Sequence, residues 1–323
     1  MATAGPTPHA PPVPGTEETT VELPDRVRIV EVGPRDGLQN EPGTVPTATK
    51  VAFIDRLAAT GLQVVEATSF VRPDLVPQLA DAAEVLTTIT PAAGVRYPVL
   101  VANDRGLDDA LQAGAQDIAV FASASEPFSE RNLGRGIDAS LDRFRALVRR
   151  ARRHGLGVRG YVSMVCGCPY QGEVPPDDVL RVTTELFELG CDEVSLGDTI
   201  GVGTVLQIQD LIGLLSRTVL VDRLAVHLHD TYGQGLANTL AAFEAGVTTA
   251  DTSAGGLGGC PFAAGATGNL ATEDLLYALE GSGVHTGVDL AEVIAVSGWM
   301  AEQLGRPPVS RVARAVLARE QAR

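Results

Sequence analysis

Eight apolar, β-branched runs recur at near-even spacing along the chain, and no other feature limits its fold as severely. They occupy 27–32, 64–69, 97–101, 117–122, 158–165, 193–197, 224–229 and 249–254. Helical patterns fill the intervals. Thr47 opens one with Val51, Ile54 and Leu57 on one side, Asp138 another with Leu141, Phe144, Leu147 and Val148, and Pro176 a third with Val179, Val182, Leu186 and Leu189; their period is 3.6, not 2. A glycine followed by a short step into the next run closes five of the helices, at Gly61, Gly114, Gly155, Gly190 and Gly246. Glycine suits the left-handed position just past a helix end. Strands alternating with helices at roughly 34 residues per unit imply a parallel sheet, and eight strands are the number that closes into a barrel. The expected fold class is therefore α/β, a (β/α)8 TIM barrel over 25–289, with a disordered tail over 1–24 and a C-terminal helical extension over 290–323. An open doubly wound sheet is the alternative, but the first turn reads Gly33-Pro-Arg-Asp-Gly37, not G-x-G-x-x-G.

Composition narrows the partners. The 323 residues are 45% hydrophobic and 20% charged, ordinary for a globular chain. A net charge of −15 opposes extended contact with nucleic acid or anionic membrane, both of which require a basic face. No apolar run is long enough to span a bilayer. The first 24 residues, rich in proline and without arginine, resemble neither a secretory signal nor a transit peptide. Cys166, Cys168, Cys191 and Cys260 lack paired C-x₂-C spacing and are expected as reduced thiols of a cytoplasmic protein.

Candidate chemistry begins at His227 and His229, which share one face of a strand because side chains alternate. A lone His-x-His serves equally well on the solvated side of an edge strand. Here Asp230, Thr231 and Gly233 follow, then a helical pattern through Leu236, Leu240 and Phe243, so the imidazoles sit where a strand enters a βα unit. That carboxyl end is where barrels keep their chemistry. Topology alone brings Arg35 and Asp36, Glu66, Asp198, the glycine-rich stretch 255–260 with Cys260, and Asn269 to the same mouth. Plainer roles exist: Glu31 and Glu66 as buried partners of arginines, the glycine-rich stretch as a flexible loop, Cys166 and Cys168 as packing residues. Co-location argues against them at the mouth. Two imidazoles, a carboxylate and an amide oxygen form a nitrogen–oxygen donor set for a six-coordinate divalent ion, with two positions left for a chelating substrate. Donor softness alone favours Mn²⁺, Fe²⁺ or Zn²⁺ over Mg²⁺. Arg35 would supply a permanent positive charge beside a developing enolate, and a thiol on a glycine-rich loop can be carried onto substrate by closure.

The motifs Val32-Gly-Pro-Arg35-Asp36-Gly-Leu-Gln-Asn-Glu41, Glu66-Ala-Thr-Ser-Phe70, Arg159-Gly-Tyr161-Val-Ser163, Gly167-Cys168-Pro-Tyr170, Ser195-Leu-Gly-Asp198-Thr-Ile-Gly-Val-Gly203, His227-Leu-His229-Asp-Thr-Tyr-Gly-Gln234, Gly256-Leu-Gly-Gly-Cys260-Pro261 and Thr267-Gly-Asn269-Leu-Ala-Thr-Glu-Asp-Leu275 closely resemble the 3-hydroxy-3-methylglutaryl-CoA lyases. The resemblance runs in order over about 27–288. It implies a metal-dependent TIM-barrel lyase in which Asp36, His227, His229 and Asn269 hold Mg²⁺ or Mn²⁺. Arg35, Asp36, Glu66, His227 and Cys260 would be the catalytic set, with Arg35 facing the enolate and Cys260 the loop thiol. The implied reaction is cleavage of an acyl-CoA to acetyl-CoA and acetoacetate by a homo-oligomer, taken as a dimer. Ala67, Leu228, Gly255 and Phe262 depart from the usual pattern; Gly255 and Phe262 are expected to widen the range of acyl groups accepted. A lyase for a larger 3-alkyl substrate, or an acyl-CoA/2-oxo acid condensing synthase of the same superfamily, is the alternative. The synthase is disfavoured because the chain ends soon after the barrel.

Overall fold

The computed structural model describes residues 22–259 and 268–322. Strands β1 (Arg28–Glu31), β2 (Val64–Val65), β3 (Thr68–Phe70), β4 (Val99–Val101), β5 (Asp117–Ser123), β6 (Gly157–Ser163), β7 (Glu193–Asp198), β8 (Leu224–Leu228) and β9 (Thr249–Thr252) form one parallel sheet. Its order is β2-β1-β9-β8-β7-β6-β5-β4-β3. β2 and β3 are halves of one strand whose N–H groups alternate between neighbours: Glu66 N donates to Glu31 O on one side, Ala67 N to Pro98 O on the other. This strand therefore joins the two ends of the sheet and closes an eight-stranded barrel. The expected single run over 64–69 is split because Pro98 has no N–H to return, so the register with β4 begins only at Thr68↔Val99.

Helices α1 (Thr47–Ala58), α2 (Ala82–Thr88), α3 (Asp104–Gln112), α4 (Glu126–Leu133), α5 (Ile137–Arg153), α6 (Pro176–Leu189), α7 (Val205–Leu215), α8 (Gly235–Glu244) and α9 (Thr272–Gly281) surround the barrel. The starts at Thr47 and Pro176 match the sequence reading, and α5 begins one residue before Asp138. The five helix-closing glycines all lie in the left-handed region, at φ of 93°, 85°, 76°, 111° and 98° in chain order. Helix α4 has no counterpart in the periodicity; capping sets it, with Ser125 Oγ accepting from Phe128 N and Gly134 turning left-handed at its end. The extension forms two helices, α10 (Leu290–Leu304) and α11 (Arg311–Gln321), because Gly305 at φ 65° and Pro307-Pro308 stop the first. The tail expected over 1–24 falls almost wholly outside the described residues, and no described helix is long and apolar enough to cross a membrane.

The core has two compartments of different chemistry. Between sheet and helices lies a continuous apolar layer with Phe53, Phe144, Phe243, Leu57, Leu107 and Leu147 fully buried, each such side chain contributing about 1.5–3 kcal/mol by leaving water. Inside the barrel, apolar contacts shrink to Val30, Val32 and Val64 on one wall and Leu100, Ala119 and Tyr161 on another. Charged groups occupy the remaining interior, among them the buried Arg159, Asp251, Glu66 and His227.

The junction of α1 with the extension tests the glycine reading. A Cβ on Gly61 would lie 2.2 Å from Gly287 O, whereas one on Gly114 meets nothing within 4 Å. Gly114→Ala should cost only the left-handed backbone penalty, about 1 kcal/mol, and Gly61→Ala clearly more, about 2–4 kcal/mol. Urea midpoints of the two variants check this; equal losses would show that the packing against Gly287 is unimportant.

Candidate active site

Strand alternation in β8 turns His227 into the barrel and Leu228, 2% exposed, into the helix-facing core. His229 follows directly and forms a backbone bridge with Asn269. Arg35 and Asp36 sit on a single π-helical turn, Gly33–Gly37, at the end of β1. There the N–H groups of residues 35, 36 and 37 all converge on Val32 O, which turns both side chains toward the barrel axis.

One ligand atom each from Asp36, His227 and His229 can be chosen so that all lie within 4.8 Å of one another. His227 Nε2 is 3.8 Å from Asp36 Oδ2, the oxygen that also accepts from Asn269 Nδ2 at 2.8 Å. Behind the cluster, His227 Nδ1 lies 3.2 Å from Asp251 Oδ2. A carboxylate there holds the proton on Nδ1 and leaves the Nε2 lone pair facing the cluster, the outer-sphere arrangement of metal-binding histidines. Burial opposes the charged form of His227, but the Asp251 bond and the charges of Asp36 and Asp251 outweigh it and raise its pKa. His229 goes the other way: burial and then the neighbouring His227 bring it down to about 4, so its imidazole is neutral, and its buried Nδ1 has no hydrogen-bond partner among the described residues. The neutral His229 imidazole, the Nε2 of His227, an ionised carboxylate and an amide side by side form a donor set that fits a divalent ion, which would displace any proton on that Nε2.

Arg35 is the cationic edge of this cluster. Its Nε and a terminal nitrogen meet Glu66 Oε2 at 2.8 Å, its other terminal nitrogen meets Asp36 Oδ1 at 2.5 Å, and its guanidinium lies 5.6 Å from the Tyr161 ring centre. Burial favours the neutral form of Arg35, yet Glu66, Asp36 and Tyr161 hold it more firmly charged than a free arginine. Asp36 is pushed up by burial but held well below the carboxylate range by Arg35 and the two histidines. Glu66 stays raised by burial despite Arg35. Arg159, under the cluster, pairs with Asp251 at 2.6 Å and with Glu193 at 2.7 Å, and donates to Tyr161 Oη at 2.8 Å. A cavity of about 620 Å³ opens over Arg35, Asp36, Tyr161, His227 and His229. A larger one, about 790 Å³, lies between α2 and α3 and touches none of these groups.

The structure therefore brings Arg35, Asp36, Glu66, His227, His229 and Asn269 together. Cys260 and Phe262 lie outside the described residues. Asp198 stands apart, its carboxylate accepting from Gly203 N at 2.7 Å and Val202 N at 3.2 Å and so bracing the loop after β7. Glu31, expected against an arginine, instead accepts from Gly33 N, Ala254 N and the Thr272 hydroxyl. A side chain at Gly255 would face Pro308 and Ser297 at 3.6 Å, away from the cavity, so the expected widening of the acyl site does not arise there. The network of Asp251, Ser195, Arg159 and Tyr161 does not follow from the sequence motifs alone. Their signal was charge or hydroxyl at alternate positions inside β-branched runs, as in Arg159-Gly-Tyr161 and Thr249-Ala-Asp251.

Barrel and cluster define the class: a TIM-barrel enzyme with a cluster of mixed nitrogen and oxygen donors at its carboxyl mouth that could hold a metal ion. Residues 26–299 match the family model described as HMGL-like. The mitochondrial hydroxymethylglutaryl-CoA lyase of Bos taurus is 53% identical over 293 residues, 91% of this chain and 90% of that protein. The cytoplasmic 3-hydroxy-3-methylglutaryl-CoA lyase of Danio rerio is 52% identical over 294 residues, 91% and 88% of the two chains. The crystal structure of hydroxymethylglutaryl-CoA lyase from Pseudomonas aeruginosa superposes with a TM-score of 0.90 at 49% identity, covering 92% of this chain and 99% of that one. An HMG-CoA lyase from A. baumannii, solved with coenzyme A and 3-methylmalate, gives 0.87 at 35% identity over 90% and 95%. The chain belongs to the hydroxymethylglutaryl-CoA lyase family, a family of metal-dependent lyases.

Asp251→Asn tests the support behind His227. It keeps the shape but removes the charge that fixes the tautomer, and losses of such partners typically weaken metal binding about 10–100-fold. Titration of metal-free protein with Mn²⁺ checks this; an unchanged affinity would remove Asp251 from the account.

Proposed function

We propose that the protein cleaves 3-hydroxy-3-methylglutaryl-CoA to acetyl-CoA and acetoacetate. One observation carries the reading: a buried arginine, braced by Glu66 and Asp36, borders the Asp36–His227–His229 cluster on the floor of one cavity. Asp36, His227, His229 and Asn269 would hold Mg²⁺ or Mn²⁺. Such an ion, when bound, acidifies a coordinated hydroxyl and fixes a chelating acyl group.

The chain's own groups then divide the work. The tertiary hydroxyl on C3 passes its proton to the Asp36 carboxylate, while Asp251 behind His227 keeps the proton on Nδ1 and leaves Nε2 for the ion. The C2–C3 bond breaks, its electron pair moves into the thioester as an enolate, and C3 becomes the ketone of acetoacetate. Arg35, already oriented and desolvated, stabilises the enolate oxygen without reorganising. Glu66 and Tyr161 keep the guanidinium in place. Cys260 is the donor we assign to the enolate carbon, which completes acetyl-CoA. The barrel over 25–289 would carry all of these groups and the extension over 290–323 would brace it. A homodimer in the cytoplasm is the assembly and location we adopt, relatives of this family being named both cytoplasmic and mitochondrial. The similarity does not favour a 3-alkyl-specific lyase or a condensing synthase.

Purified protein with 3-hydroxy-3-methylglutaryl-CoA and Mg²⁺ should release free acetoacetate, EDTA should abolish the release, and Mg²⁺ or Mn²⁺ should restore it. Full activity in excess EDTA would overturn the metal reading. Arg35→Lys should lower kcat about 10²–10³-fold with a much smaller change in KM, because a point charge replaces a planar fork. A change confined to KM would mean that Arg35 only binds substrate. Cys260→Ala should lower kcat about 10²–10⁴-fold, the usual worth of a positioned proton donor, and leave Mn²⁺ binding intact.

A further inference from the structure

Gly255, at the root of the 255–259 segment, is held from outside the barrel. Glu273, fully buried in the first turn of α9, accepts from Gly255 N through both oxygens, at 2.8 and 3.1 Å. Ser297 on α10, 2% exposed, donates its hydroxyl to the same carboxylate. Gly255 O in turn accepts from Val309 N at 2.8 Å and Ser310 N at 3.1 Å, in the turn between α10 and α11. The backbone of Gly255 is left-handed at φ 70°, and two residues later Leu257 O accepts from Asn269 Nδ2 at 3.2 Å. That nitrogen is thus shared between Leu257 O and Asp36 Oδ2, which leaves Oδ1 as the donor atom Asn269 has for an ion. Contact along this path is tight: a Cβ on Gly258 would lie 2.7 Å from Asn269 Nδ2. Burial raises the Glu273 carboxyl to about 7, and the bonds from Ser297 and Gly255 are among the interactions that oppose this rise.

We propose that Ser297 and Glu273 are positioning residues for the metal centre: by fixing Gly255 they fix the Leu257 carbonyl that orients the Asn269 amide. Helix α10, which contributes no residue to the cavity or to the ligand cluster, thereby sets how tightly the centre takes its metal. This rests on the reading of Asn269 as a ligand.

The test is Mn²⁺ binding to metal-free full-length protein, followed by titration and by the electron paramagnetic resonance spectrum of the bound ion. Ser297→Ala and Glu273→Gln should each weaken binding on the order of 10-fold, the range seen for supports behind a ligand, and alter the spectrum. Ser297→Thr, which keeps a hydroxyl, should restore both. Leu141→Ala, a buried position in α5, supplies a variant of comparable or greater stability loss whose affinity should not change. Parent-like Mn²⁺ binding by Ser297→Ala overturns the proposal, as does equal weakening by Leu141→Ala. Should Ser297→Ala not fold, Glu273→Gln decides by the same criteria. Asn269→Ala separates the two levels: weakened binding there with none in Ser297→Ala sinks this inference alone, whereas parent-like binding by Asn269→Ala sinks the ligand reading and the inference with it.

Discussion

The interior of the barrel depends on Asp251, because its one carboxylate answers to two demands. It neutralises Arg159 in the middle of the barrel, and it holds His227 Nδ1. Barrels usually fill this space with branched aliphatic side chains. An ion pair there must overcome the cost of removing both charges from water, and it does so only when every donor and acceptor is met. Here the demand is met densely: Arg159 reaches Asp251, Glu193 and Tyr161, and Ser195 Oγ donates to Asp251 at 2.9 Å. Burial raises the Asp251 carboxyl, and Arg159 with His227 holds it at about 2. Stability and chemistry are therefore joined in one group, since any change that loosens the interior pair also frees the imidazole above it.

The joining explains why charge continues up the axis. Arg28 pairs with Glu193 toward the amino end, Glu193 with Arg159, Arg159 with Asp251, and two residues further along the same strand Tyr161 Oη donates to Glu66, which faces Arg35. Each buried charge is compensated by the next. At the carboxyl mouth the series ends on Asp36, paired with Arg35, and on two imidazoles that line the cavity beside it. A divalent ion is the natural terminus of such a series, and Arg35 is left as a charge that is fixed, dry and aimed at the cavity.

Much of this is legible in the sequence alone, and the limits have physical causes. Strand and helix order followed from periodicity and from glycines that turned out left-handed, because both signals are local. His227 and His229 could be paired because alternation within a strand is strict, and Arg35, Asp36, Glu66 and Asn269 could be gathered because barrel topology sends strand ends to one mouth. Their roles needed the resemblance. Asp251 went unread because a single acid in Thr249-Ala-Asp251-Thr does not reveal whether an arginine stands 92 positions away. Glu31 was misjudged for the same reason: a buried acid needs donors, and backbone N–H groups supply them as readily as guanidinium does. The split second strand depended on which neighbour lacked an N–H, a pairing fact that no window of one strand contains.

The buried carboxylates fall into groups by what satisfies them, and the division matches their places. Asp36 and Asp251 face cations, which overcome burial and hold both below the ordinary range. Glu31 and Glu273 are met mainly by neutral N–H and O–H groups, which do not overcome it, and they rise to about 8 and about 7. Their contributions to folding depend on pH in opposite directions. The first pair binds protons less tightly folded than unfolded, so its stabilisation is present above the unfolded pKa near 4 and is lost as pH falls toward 2. The second pair binds protons more tightly folded, so its contribution is full below about pH 4.5 and is lost as pH rises through 7 to 8. Cation-paired acids thus keep a fixed charge at the centre at neutral pH. Glu31 and Glu273, bound to the consecutive amides of Ala254 and Gly255, hold the turn that leads toward Asn269. An acid that remains near its own titration point is poorly suited to charge stabilisation, and it serves here as a backbone anchor while the permanently ionised groups stand at the mouth, where the proposed reaction would develop an enolate.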